Sequence, residues 1–153
     1  MIDRNKFPPL KLPPYEAKVR SENKQIQIFD CFRKKFVILT PEEWVRQHFA
    51  NYLVSHKSIP ETRLMLESEI KYGQLSKRPD ISVIDRNNLV YLIVECKASN
   101  VTLDQSVYDQ TMTYASILKP KYLALTNGLE HMYFQFQPET MNFVSIEDIP
   151  CLL

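Results

Sequence analysis

Two short stretches early in the chain, "QIQIF" (25–29) and "KFVIL" (35–39), have the apolar, β-branched composition of strands, and together they predict a β-hairpin. The period then changes. From Val45, apolar residues recur at Phe49, Tyr52 and Leu53, the spacing of one helix face. Thr40 suits the N-cap of that helix, Pro41 its first position and Glu43 its third, and Ile59 with Pro60 marks the exit. Alternation resumes over residues 62–72, with Leu64, Leu66 and Ile70 on one face of an expected strand, and Gly73 to Lys77 read as a turn. "PDISVID" predicts the next strand, and Asn87-Asn88 turns the chain. "LVYLIVECKA" follows, apolar on both faces and so expected at the centre of a sheet. A second helix is expected over residues 103–118, where Thr102 and Gln105 repeat the capping-box spacing. Strands over 121–128 and 131–137 complete the pattern. Residues 1–16 contain four prolines and read as an extended arm. The expected organisation is an arm over residues 1–23 and one domain over 24–153. Its class is α/β with α+β character: a mixed sheet flanked by helices, preceded by a hairpin.

At 153 residues and 44% hydrophobic, the chain is large enough for one buried core. A net charge of +1 provides no global field for nucleic acid, so any basic surface must be local. Only Gly73 and Gly128 occur, which excludes glycine-rich phosphate loops; no nucleotide cofactor is expected. Three cysteines without metal-ligand spacing fit a reduced, cytoplasmic setting. Three scattered histidines argue against a zinc site. No apolar run is long enough to span a bilayer, so a membrane partner is not expected.

The chemistry concentrates in "KRPDISVIDRNNLVYLIVECKAS". Side chains alternate along a strand, so Glu95 and Lys97 share a face while Cys96 points the other way. The Asn87-Asn88 turn pairs the two strands antiparallel, which brings Asp80 beside Glu95 and Lys97 at one end of the sheet. Two close carboxylates require a cation, a shared proton or solvent. Oxygen donors without His or Cys favour a hard ion, Mg²⁺ or Mn²⁺. A neighbouring lysine can orient or deprotonate an attacking water and offset charge on a phosphate. Metal-assisted phosphodiester hydrolysis suits this set best. The plain alternative is a strand-start Asp and a surface Glu–Lys pair. Glu95, however, follows the apolar run "YLIV", where an unpaired charge is costly.

"RPD" (78–80) followed by "ECK" (95–97) resembles the PD-(D/E)xK nuclease motif. With "TPEEWVRQ" (40–47), "QTMTY" (110–114) and "LTNG" (125–128), residues 24–137 resemble the N-terminal nuclease domain of type I restriction enzyme R subunits and its small stand-alone relatives. The resemblance implies a restriction-endonuclease-like core. It makes Asp80 and Glu95 metal ligands, with the Cys96 carbonyl as a third, and Lys97 the catalytic lysine. The family's helical acid falls in "PEE". At 100° per residue Glu42 shares the sheet-facing side with Val45, Phe49 and Leu53, whereas Glu43 points away into the capping box, so Glu42 is expected to fill that role. Gln110 and Tyr114 match a Q-x-x-x-Y element placed to hold Lys97 or a phosphate; an ordinary half-buried polar pair is the alternative. Arg78, Arg46 and Gln47 have surface or salt-bridge roles as the competing reading to DNA contact. Asn127-Gly128 reads as a turn, and Glu67 and Glu69 as solvent-facing spare acids. DNA is the implied partner. At near-zero net charge, a homodimer or partner protein is expected to strengthen the hold on it. At this length no helicase motor is expected, so translocation and target-site recognition do not carry over. A non-catalytic nucleic-acid- or protein-binding module of the same fold, or a structural partner subunit, remains open beside the nuclease.

Overall fold

The computed structural model describes residues 2–152; positions 1 and 153, which bound the expected arm and domain, lie outside the described residues. Three antiparallel strands come first: β1 (Val19–Glu22), β2 (Gln25–Asp30) and β3 (Lys35–Ile38). Helix α1 (Pro41–Lys57) follows, capped by Thr40 Oγ1, which accepts from Glu43 N at 3.0 Å. Next are β4 (Leu64–Leu66), β5 (Ile70–Tyr72), β6 (Leu75–Lys77), β7 (Ile81–Ile84) and β8 (Val90–Cys96). Helix α2 (Gln105–Leu118) leads to β9 (Tyr122–Thr126), β10 (His131–Gln137) and β11 (Asn142–Ile146). Six of these strands form one sheet in the order β11-β10-β9-β8-β7-β4, in which only β8 and β9 run parallel. The molecule is thus a mixed α+β fold with the expected central strand. α2 supplies the crossover that a parallel β8–β9 pair needs.

Alternation along β8 divides the core between two helices. Leu92, Val94 and Cys96 pack with Val45, Phe49 and Leu53 of α1. Ile93 packs on the opposite face with Ala115 of α2, Leu123 and Leu125. α1 is covered on a second side as well, where Trp44 meets Phe7, Ile28 and Leu39 from the N-terminal segment. That double cover explains why α1 buries polar residues, including Glu43, Arg46 and Gln47.

Four elements differ from expectation. The strand expected over 62–72 breaks at Glu67, whose φ of 47° turns the chain out of the sheet. Residues 70–77 then form a separate hairpin, and the expected turn at Gly73–Lys77 contains strand β6. α2 is capped by Asp104 rather than Thr102; its Oδ1 accepts from Val107 N at 3.1 Å. β11 carries too little alternation to be foreseen and owes its form to pairing with β10. Finally, the arm is docked. Val19–Glu22 is strand β1, Phe7 is buried, and Trp44 Nε1 donates to Pro8 O at 2.9 Å. Lys11 N donates to Gly128 O at 2.8 Å. Gly128 has φ 84°, and a Cβ there would sit 2.7 Å from Leu10 Cδ2, so this glycine serves the arm's close approach as well as the turn. Among the described residues, no helix is long and apolar enough to cross a membrane.

Candidate active site

The register of the central strands builds the site. Ile81 pairs with Val94, so Asp80 and Glu95 fall at the same end of neighbouring strands. Lys97 N donates to Thr126 O at 2.8 Å, which continues the β8–β9 ladder past Cys96. Asp80 is buried and held at both oxygens: Oδ2 accepts from Cys96 N at 2.8 Å, and Oδ1 from Arg46 Nη2 at 2.5 Å and Nε at 3.2 Å. Glu95 Oε2 accepts from the Tyr114 hydroxyl at 2.5 Å, and Oε1 lies 3.5 Å from Lys97 Nζ. Burial, then the charge on Asp80, pushes the Glu95 carboxyl up to about 7, against the pull of Tyr114 and Lys97. Burial and Glu95 also raise the Tyr114 phenol. The Cys96 thiol is fully buried on the α1 side and raised by that burial, so only its backbone is available to the site.

Arg46 is the member that the motif did not anticipate at this place. Its side chain is 5% exposed and meets Asp80, Glu43, Glu42 (3.1 Å) and Glu67 (3.4 Å). Of its two competing readings, the structure shows the salt bridge. The signal in the sequence was its place one helical turn from "PEE", which pairs it with Glu42 and Glu43 by helical spacing, but no pattern told that Asp80 and Glu67 would face it.

The helical-wheel expectation for the two glutamates is corrected. Glu43 is the buried one, and its carboxylate joins Arg33, Arg46 and Gln47 in place of the reciprocal half of a capping box. A single-sheet wheel misplaces it because the N-terminal sheet covers that side of α1. Glu42 is 43% exposed at the rim. Even so, burial and the charge on Asp80 raise its carboxyl, while Arg46 and Lys97 oppose the rise, which puts it within electrostatic reach of the site.

The remaining candidates divide. Tyr114 joins the site directly, whereas Gln110, one turn earlier, is exposed and stands outside the bonded set. Arg78 is exposed. Gln47 donates to Glu43 at 2.8 Å, a structural bond. Glu69 accepts from Ser76 on the β5–β6 hairpin, while Glu67, expected to face solvent, reaches Arg33 and Arg46. Asn127 closes its turn by accepting from Leu129 N and Glu130 N.

Among the described residues, no three His, Cys, Asp or Glu side chains gather closely enough to enclose an ion. Asp80 and Glu95, with the Cys96 carbonyl next in the chain, are a two-carboxylate oxygen set. That fits Mg²⁺, which keeps several waters and takes one or two carboxylates. Their burial and mutual repulsion are what a divalent ion would relieve.

Residues 41–150, well over half of the chain, match the family described as type I restriction enzyme R protein N terminus. No curated protein matches the chain.

Proposed function

The chain belongs to the type I restriction enzyme R protein N-terminus family, and from that premise we propose that it hydrolyses DNA phosphodiesters with Mg²⁺ or Mn²⁺, as a PD-(D/E)xK nuclease domain. The observation that carries this reading is the meeting of Asp80, Glu95 and Lys97 at one sheet end, with Lys97 Nζ 3.5 Å from Glu95. Asp80, Glu95 and the Cys96 carbonyl would hold the ion, which acts when bound as a Lewis acid on the scissile phosphate. Lys97, on the Glu95 face, offsets charge that builds on the phosphate and orients the attacking water. Tyr114 fixes the Glu95 carboxylate from α2, and Arg46 with Cys96 N fixes Asp80. Glu42 at the rim supplies the helical acid. A second copy or a partner protein adds the phosphate contacts that a chain of net charge +1 lacks.

The test is cleavage of single- and double-stranded DNA with Mg²⁺ or Mn²⁺. Wild type should cut. Lys97→Ala should lose about 10²-fold or more while still binding the ion. Folded, metal-loaded wild type that cuts no nucleic acid would refute the reading. One observation favours a second reading, a binding module without catalysis: both Asp80 oxygens already have protein donors. That module would bind DNA or protein equally well after Asp80→Ala and without divalent ions.

A further inference from the structure

Arg33 lies in the loop between β2 and β3, outside the matched residues 41–150. Nothing in the motif blocks points to it. Its guanidinium is 19% exposed and faces three carboxylates. Nε bonds Asp30 of its own hairpin, Nη2 donates to Glu43 Oε1 at 2.9 Å, and Nη1 donates to Glu67 Oε2 at 2.6 Å. Glu43 and Glu67 are also partners of Arg46, through Glu43 Oε2 and Glu67 Oε1. Arg46 Nη2 is contested. Asp80 Oδ1 lies at 2.5 Å, Glu42 Oε1 at 3.1 Å and Glu67 Oε1 at 3.4 Å.

We infer that Arg33 is a positioning residue for the candidate site: by engaging Glu43 and Glu67, it leaves Arg46 free to hold Asp80. The inference rests on the metal-site reading of Asp80. One guanidinium presents five N–H donors in a fixed plane. It cannot bind Asp80 through Nε and Nη2 and also serve Glu42, Glu43 and Glu67 in full. Arg33 takes one oxygen of Glu43 and one of Glu67, so each needs less from Arg46. The N-terminal sheet is therefore part of the site's charge balance. Its reach to Asp80 runs through Glu43 and Arg46, both buried, where solvent screens poorly, and through Glu67, whose side chain is 42% exposed and more screened.

Removing the Arg33 charge has two consequences of opposite sign. The site becomes more negative, which favours a divalent cation. Arg46 is drawn toward Glu43 and Glu67, which loosens Asp80 and slows turnover. A purely structural role for Arg33 would weaken cation binding and turnover together.

The experiment measures Mn²⁺ binding by calorimetry on the full chain without nucleic acid, beside DNA cleavage rates and thermal melts. Arg33→Met should bind Mn²⁺ about three- to tenfold more tightly and cleave about tenfold more slowly. Arg33→Lys keeps the charge and should stay within about twofold of wild type for Mn²⁺. Glu67→Gln removes one acid and should weaken Mn²⁺ binding about two- to threefold. If Arg33→Met does not fold, the Glu67→Gln and Arg33→Lys arms decide. Unchanged Mn²⁺ affinity in Arg33→Met or Glu67→Gln, an Arg33→Lys that shifts as far as Arg33→Met, or a folded Arg33→Met that binds Mn²⁺ less tightly, overturns the inference alone. Wild type that binds no Mn²⁺ overturns the metal reading, and the inference with it. Wild type that binds Mn²⁺ but cuts no DNA defeats the nuclease reading and leaves the Mn²⁺ comparisons to judge Arg33.

Discussion

Glu95 offers the sharpest test because its environment makes a claim about stability as well as chemistry. Burial and Asp80 move its carboxyl from the ordinary 4.5 to about 7. The folded state therefore binds a proton more tightly than the unfolded chain does. Stability from this group is fully present below the unfolded value and is lost as pH rises through about 7. Each unit is worth about 1.4 kcal/mol, so the loss above neutrality is about 3 kcal/mol. The side chain is 20% exposed, which leaves little room for solvent screening to reduce it. Glu95→Gln removes the charge and keeps an oxygen to accept from Tyr114. Without divalent ions, the variant should lack this pH dependence between about 4.5 and 7 and be more stable than wild type at pH 8, by about 2–3 kcal/mol. In a domain of this size that corresponds to about 5–10 °C in Tm. The assay is urea and thermal unfolding in chelator across that range. Added Mg²⁺ should then stabilise wild type at pH 8 and have little effect on the variant. Parallel pH profiles for the two proteins, or a variant less stable at pH 8, would show that Glu95 is not under the electrostatic load its position implies.

Other positions give separate readouts. Tyr114→Phe leaves Glu95 without its hydroxyl donor, so the carboxyl should titrate still higher, and stability at pH 8 should fall by about 1–2 kcal/mol, seen in unfolding against pH. Phe49→Ala opens a fully buried site between α1 and the sheet and should cost about 3–5 kcal/mol in urea unfolding. Gly128→Ala should cost more than Gly73→Ala, because both have positive φ but only Gly128 has a neighbour, Leu10, in the way. Strain alone is worth about 1 kcal/mol, so the excess should shrink when Leu10→Ala is added, a double-mutant cycle read by thermal melts.

Local pattern determined much of this protein. The strand alternation, the Thr40–Pro41 helix start and the apolar run of β8 each depend on neighbours in the chain, and the elements form where those signals stand. The meeting of Asp80 with Glu95 was also legible, because a short turn pairs the two strands antiparallel, and the register shift between Val83 and Ile84 still leaves Ile81 opposite Val94. Tertiary structure decided what depends on residues far apart in sequence. Glu67 leaves the sheet through a backbone conformation that side-chain alternation does not encode. Glu43 is buried, and Glu42 remains at the rim, because a second sheet lies across α1, a contact absent from the helix's own periodicity. Asp30, Glu42 and Glu43 are sequence neighbours of these arginines, but Arg33 reaches Glu43 and Glu67, and Arg46 reaches Glu67 and Asp80, only after separate segments have packed together. Charge pairing between distant segments acts through space and carries no period along the chain, so the motif named Asp80, Glu95 and Lys97, and the fold chose Arg46 as the cation on Asp80.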